Sequence, residues 1–469
     1  MEAGDHRDQP MALVAAHAQL LPVPDDILAC VLGRLEPRSL AASRCVCKGW
    51  RDVIDGRRLL RTDLLPFSLY GIFFMEIDVL CADPPKLFAN PLTSPRIDAN
   101  LDYVEEDDLR ITNHCNGLLL FSGHDHLVLN PATRQWVRLP PPPPRCTESG
   151  MEGFYDDVCL AFDPTVSLDY EVYMVPSVPC NLDPTATIFT EESEWPPSSC
   201  AIRVFSSRTW RWEERSFLRR GEAAGTIADM QQYTMFQRCY TVYWKGALYV
   251  HCENDSIMRI TLSDGAYQVI KSPSGGKMDG STHLYLGKSN KGVYCALIYH
   301  NVQHQFQVWF LDESCGRMEW ELKNDIKFAP VMAKISLVKY KDGFPNKKKH
   351  KDQNLRPWIF LRGICLDEDI KEGLMEDSAE WDYSKGFILE TRDLKVNCDH
   401  MHFEDVFLDV YFLGFHPYKE IVFLWMSRDT AVAYDFSSSK VQYLGKLPAH
   451  WIGKSFPYTP CWIGELSEK

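Results

Sequence analysis

Any chemistry done by this chain would have to come from a few scattered constellations of histidine, cysteine, serine and lysine. Cys398, His400 and His402 alternate, so on an extended strand all three would share one face, a conceivable three-ligand metal set. No fourth ligand or Cys-x-x-Cys pair accompanies them, and no group that would orient the imidazoles can be named. His114, Cys115, His124, Asp125 and His126 crowd together just as inconclusively. Ser274-Gly275-Gly276-Lys277 lacks the Gly-x-x-x-x-Gly-Lys-Ser/Thr spacing with which backbone amides cradle a phosphate, and reads as a flexible turn. Neither a Gly-x-Ser-x-Gly elbow nor a His-Glu-x-x-His pair occurs, which leaves hydrolysis without an anchor. The expectation is a chain with no catalytic residue, no metal and no cofactor of its own.

Composition narrows the partners. Of the 469 residues, 45% are hydrophobic and 24% charged, the balance of a globular chain, and the 12% aromatic share leans toward β-structure. A formal charge of -14 disfavours nucleic acid, which binds through clustered Lys and Arg, and permits a basic partner. The apolar stretch Met11 to Leu21 follows Glu2, Asp5 and Asp8 against Arg7 alone, the wrong sign for a secretory leader. Leu64 to Met75 is too short to span a membrane, and Phe407 to Met426 is interrupted by Asp409, His416, Lys419 and Glu420. With no export signal, the 16 scattered cysteines, among them Cys159, Cys252, Cys295 and Cys365, read as buried reduced thiols, and the expected compartment is cytoplasm, nucleus or both. Lys347-Lys348-Lys349-His350-Lys351 is either an import signal or a solvated insertion offset by Asp367-Glu368-Asp369 and Glu376-Asp377.

The elements that would position any site fall into two kinds. From Pro24 onward, Ile27, Leu28, Val31, Leu32 and Leu35 lie on one helical face. Pro37 suits the first turn of a second helix through Leu40 and Val46, and a third carries Trp50, Val53 and Ile54. About 40 residues in three short helices bury too little surface to stand alone, so part of this head should be covered by another chain or domain. Val23-Pro24-Asp25-Asp26-Ile27-Leu28, Val31-Leu32-Gly33-Arg34-Leu35, Ser39-Leu40 and Arg44-Cys45-Val46-Cys47-Lys48-Gly49-Trp50-Arg51 together resemble an F-box, with Val23 where that family usually has Leu. The resemblance implies docking on a Skp-type adaptor, and through it a cullin. The implied contacts are Pro24, Ile27, Leu28, Val31, Leu32, Leu35, Leu40, Val46 and Trp50, some of which, Leu40 and Trp50 above all, also hold the helices together.

Beyond Leu65 the pattern alternates, and a unit of apolar strands and short turns recurs. Gly117 to Phe121, Leu127 to Asn130 and Gln135 to Leu139 form one unit, and Leu160 to Pro164, Tyr170 to Val175, Arg203 to Ser207 and Trp210 to Trp212 another. Val242 to Val250 with Met258 to Leu262, Val293 to Ile298 with Phe306 to Leu311 and Met318 to Leu322, and Leu413 to Pro417 with Tyr434 to Phe436 and Val441 to Leu444 continue the series. Trp136, Trp212, Tyr267, Trp320 and Tyr443 mark the last strand of each, and a further irregular unit would fit between Phe328 and His400.

These units resemble the blades of a β-propeller. Asn116-Gly117-Leu118-Leu119, Asn130-Pro131-Ala132-Thr133 and the Tyr243 to Tyr249 run resemble the associated, Kelch-type domain that follows many plant F-boxes. The expected fold is α+β and multidomain: a disordered tail over 1–20, a three-helix F-box over 21–62, and an all-β propeller of six or seven blades over 63–469, with Phe67 to Leu87 closing the ring against the last blade. The function this implies is target recognition in an SCF-type (Skp-cullin-F-box) ubiquitin ligase. The rivals are an F-box scaffold with no ligase role and a propeller that binds or converts a small ligand. The target protein is unnamed by the sequence. Its site is expected on the face bearing the long connections, Pro140 to Asp157, Pro176 to Cys200 and Phe217 to Tyr233, with Phe189 and Trp195 as aromatic anchors among Glu191, Glu192 and Glu194. Deleting Asn181 to Pro197 should then abolish target capture and leave folding intact.

Overall fold

The computed structural model describes the head between residues 24 and 59 and the body between 69 and 332, then residues 358–361, 388–390, 410–462 and 466, less short connections within these ranges. The tail over 1–20, the run Lys347 to Lys351, His124, Gly275 to Lys277, Cys365 and the set Cys398, His400 and His402 lie outside the described residues. The chain divides into two compact units, Met1–Leu65 and Pro66–Lys469.

In the head, α1 (Asp25–Leu32) starts from Pro24, whose carbonyl accepts the amides of Ile27 and Leu28 at 2.9 and 3.0 Å. Asp25 and Asp26 lie in its first turn, where carboxylates complement the helix dipole. A second helix, α2 (Lys48–Gly56), packs on α1 and buries Val53 and Ile54. Of the helix expected from Pro37 through Val46, Leu40, Ser43, Arg44 and Val46 are described, the first two of them helical and the others in turns.

Body strands run in chain order as β1 (Gly71–Glu76), β2 (Lys86–Ala89), β3 (Arg110–Cys115), β4 (Leu118–Ser122), β5 (His126–Asn130), β6 (Gln135–Arg138), β7 (Tyr155–Phe162), β8 (Tyr170–Ser177), β9 (Glu194–Trp195), β10 (Ser199–Ser206), β11 (Arg211–Arg219) and β12 (Gly225–Thr226). A one-turn helix, α3 (Ile227–Met230), comes next. There follow β13 (Thr241–Trp244), β14 (Ala247–His251), β15 (Ile257–Thr261), β16 (Ala266–Ile270), β17 (Thr282–Ser289), β18 (Gly292–Tyr299), β19 (Gln305–Asp312) and β20 (Glu319–Lys327). The series closes with β21 (Ile359–Leu361), β22 (Ile388–Glu390), β23 (Val410–Phe415), β24 (Ile421–Met426), β25 (Thr430–Asp435), β26 (Lys440–Lys446) and β27 (Ile452–Tyr458).

These strands make six blades, each antiparallel within itself, among the described residues: β3 to β6, β7-β8-β10-β11, β13 to β16, β17 to β20, β23 to β26, and a composite of β27, β1, β2 and β21. A short parallel pairing of β11 with β16 at Leu218 and Arg219 joins the second and third into one eight-stranded sheet. The first strands of successive blades pack side by side, β3 on β7, β7 on β13, β13 on β17, β17 on β23 and β23 on β27. The ring closes where the ring of His114 on β3 stacks on Phe456 of β27, centroids 3.8 Å apart, and where Lys454 Nζ donates to the Thr112 carbonyl. Gly71 pairs with Tyr458 and Phe73 with Phe456, so the two ends of the body are zipped into one sheet.

Most of the stretch between Phe328 and His400, where a further irregular unit is expected, lies outside the described residues; of its described parts, β21 is the outer strand of the composite blade and β22 a fifth strand beside β26. One expectation needs correction: the aromatic marker shifts in the fifth blade. Trp136, Trp212, Tyr267 and Trp320 each face the penultimate residue of the preceding strand, opposite Leu129, Phe205, Ile260 and Leu311. Tyr443 faces Val432; the equivalent place is held by Val441, and the aromatic ring has moved across the hairpin to Tyr434.

Each core lies between neighbouring blades, which explains why some strands read as unbroken apolar runs. Along β24, Val422, Leu424 and Met426 face the cluster shared with the fourth blade, while Ile421, Phe423 and Trp425 face the one shared with the composite blade. The hairpin turns repeat a backbone geometry. Asn116-Gly117 and Lys245-Gly246 join first to second strands with both residues at positive φ. Arg134, Trp210, Gly265 and Ser439 each take a positive φ just before the last strand of their blade.

Candidate functional site

On the head, helical spacing divides the apolar residues into two stripes. Leu28 is half-buried and Leu32 buried, whereas Ile27 and Val31, one turn apart, are 56% and 57% exposed, followed by Leu35 at 38% and Val46 at 62%. Pro24 is exposed at the helix start and Trp50 is half-buried. Leu32 and Leu40 are withdrawn from solvent within this chain and serve the head's own packing. The residues that present an apolar surface are Ile27, Val31, Leu35 and Val46, with Pro24 beside them. Apolar groups held in water on so small a unit make a candidate interaction surface. The Arg57–Asp26 ion pair, 2.5 Å long, lies in solvent and adds little.

On the body, the long connections converge. Met151 and Phe154 from the first, Phe189 and Trp195 from the second, and Ile227 and Met230 from the third join one cluster with the second and third blades. Phe154 stacks on Trp195 at 5.0 Å, and Phe189 meets both rings edge-on at 5.7 and 6.0 Å. Strand β9 pairs with β12, and the Thr226 hydroxyl and Asp229 carboxylate cap α3 reciprocally. Arg219 bonds the Pro196 carbonyl at 2.6 Å and Glu194 at 2.5 Å. Of the two expected target anchors, Trp195 is 2% exposed and belongs to this core, and Phe189 is half-buried against it. Six large apolar residues in three nominal loops were the signal for this small core. Its consequence reverses the deletion forecast: removing Asn181 to Pro197 would take out a core tryptophan, so folding would not survive unharmed.

Around this core are two charged arrangements. Asp156 accepts from Arg145 at 2.5 Å and from Arg203, whose other nitrogen reaches the Pro143 carbonyl at 2.8 Å. Trp212 donates to the Pro140 carbonyl at 2.7 Å, which fastens the start of the run Pro140 to Pro144 to the second blade. Glu253, in the turn after β14, accepts the Val178 amide at 2.8 Å; burial, and then the neighbouring Asp157, push its carboxyl up to about 7.

First strands of several blades, and Cys200 on β10, carry further polar groups. Burial, with Lys288 and Lys454 nearby, lowers His114 to about 3, so its imidazole is neutral. Cys115 donates to the Phe162 carbonyl, and burial raises its thiol. Cys159 and Cys200 are pushed up to about 12 by burial and are protonated thiols at neutral pH. Lys288 is held by Asn116 Oδ1 at 2.8 Å and the Tyr243 carbonyl at 3.1 Å. Among the described residues no group of three or more His, Cys, Asp and Glu could hold a metal ion, and no helix is long and apolar enough to cross a membrane.

Comparison with known proteins agrees with the head's geometry. Residues 20–62 match the F-box domain. An F-box protein of Arabidopsis thaliana is 29% identical over 141 residues, 29% of this chain and 38% of that protein. An F-box/kelch-repeat protein of the same plant is 27% identical over 151 residues, 30% of this chain and 36% of that protein. The match thus spans well under half of either relative. Among solved structures, Citrobacter koseri AztD aligns over 85% of this chain and 100% of its own with 9% identity and a TM-score of 0.33, which establishes no kinship. The head is an F-box domain, and the body that follows it is a β-propeller. The chain is similar to plant F-box proteins, one of them with kelch repeats.

Proposed function

We propose that this chain is the target-recognition subunit of an SCF-type ubiquitin ligase, docking a Skp-type adaptor through its head and a target protein through its propeller. The observation that carries the reading is the F-box match at residues 20–62 coinciding with an exposed apolar surface of Ile27, Val31, Leu35 and Val46. On this reading the chain supplies no nucleophile. It raises the effective concentration of a target lysine beside a charged conjugating enzyme that the adaptor and cullin bring.

The test is co-purification with a Skp-type adaptor. Val31→Asp puts an unpaired carboxylate into an apolar interface and should abolish the complex, while the melting of the body stays unchanged. Retained co-purification would remove the docking role from this surface. Recruitment of a cullin by the reconstituted complex separates a ligase subunit from an F-box scaffold.

A further inference from the structure

The small core built by the three long connections turns alternate residues outward. Phe154 and Phe189 point inward onto Trp195, and their chain neighbours Tyr155 and Ile188 are 63% and 75% exposed. The two segments are packed together: Thr187 Oγ1 donates to the Gly150 carbonyl at 2.5 Å, and Ile188 lies against the bare backbone of Gly150, where an added Cβ would sit 2.1 Å from its Cγ1. Gly150 holds φ +64, so the close approach and the turn both call for glycine.

The unpaired charges in the two turns that flank these residues are acidic. Glu152 lies in the turn between Gly150 and Tyr155, and Glu191 and Glu192 in the turn after Ile188; all three are exposed, and none has an ion-pair partner among the described residues. The basic side chains nearby are already engaged, Arg145 with Asp156, Arg219 with Glu194 and Arg220 with Asp264. Two exposed apolar side chains on joined segments, each flanked along the chain by uncompensated carboxylates, complement a segment that offers an apolar side chain among lysines or arginines.

We propose that Tyr155 and Ile188, flanked by Glu152, Glu191 and Glu192, form the seat of a basic, apolar-anchored segment of the target protein. This rests on the target-recognition reading above and names the chemistry of its site. The body's own core supports the surface from behind, so the seat is preorganised.

A random-peptide display selection against the full chain bound to a Skp-type adaptor tests it. Selected peptides should be enriched in Lys and Arg around an aliphatic or aromatic residue. The double variant Tyr155→Ser, Ile188→Ser should weaken them about ten-fold or more, and added salt should weaken them further. Glu191→Lys with Glu192→Lys should weaken them while leaving the melting temperature in place, since all of these side chains are in solvent. No enriched peptide, acidic or uncharged peptides, or binding that survives the Tyr155/Ile188 double variant would overturn the proposal. Adaptor co-purification in the same samples reports on the head separately, so failure of the seat and failure of the F-box reading are distinguishable.

Discussion

At the residue scale, the most informative side chains are those whose burial contradicts their surroundings in the sequence. Trp195 sits among Glu191, Glu192 and Glu194, yet it is the centre of an aromatic trio; Trp195→Ala should cost about 3–5 kcal/mol in urea or thermal unfolding. Asp156 holds two largely buried guanidiniums, and Asp156→Asn leaves both short of a counter-charge, a loss of about 3–5 kcal/mol by the same measurement. Glu253 gives a pH test. Its carboxyl is raised from 4.5 to about 7 by burial and then Asp157, so between those values the folded chain binds more protons than the unfolded one. Stability from this group is therefore present in acid and lost as pH rises through 7. Glu253→Gln, which can still accept the Val178 amide, should stabilise the body at pH 8, on the order of 2–3 kcal/mol, and change little near pH 4. Equal stabilisation at both pH values would refute the assignment.

At the element scale, the blades are hairpins whose turns demand particular backbone conformations. Gly117 and Gly246 occupy corresponding turns at φ +92 and +80, so alanine strains both. They differ in what surrounds them. An added Cβ at Gly246 meets nothing within 4 Å, whereas at Gly117 it would lie 2.5 Å from Cys461 Cβ and 2.6 Å from the Cys461 nitrogen. The Gly117→Ala chain should therefore melt well below Gly246→Ala, and the difference measures how tightly the segment after β27 is held against the first blade. Asn130, which donates to the Cys461 carbonyl at 2.9 Å, belongs to the same attachment.

At the scale of the whole molecule, the body is closed by joining residues from its two ends. Strand β27 lies between β1 and β23, with Ile452, Phe456 and Tyr458 buried. A chain ending at Pro448 would leave Phe73 and Ile72 without their partner strand. It should lose the single cooperative melting transition of the body, checked by calorimetry, while the head's adaptor binding persists. A cooperative melt that survives the truncation would show that ring closure is dispensable. Contacts between such distant residues also tie folding to completion of the chain, since loop closure must precede the pairing that compensates it.

The sequence by itself determined the head and the number of repeated hairpins to within one. The helical spacing of Ile27, Val31 and Leu35 and the Asn116-Gly117 and Lys245-Gly246 turns are local signals, set by backbone geometry over a few residues. First strands such as β3 and β17 are not legible in the sequence because polar residues on them, Thr112, His114 and Lys288 among them, break the apolar alternation. What only the tertiary structure decided was everything made by residues far apart in the chain. Composition could not show that β21 completes a blade begun by β27, nor that Trp195 and Phe154 share a core. A tryptophan among glutamates reads as exposed until another connection arrives to cover it, because burial is a property of the neighbours a fold supplies and not of the residue that is buried.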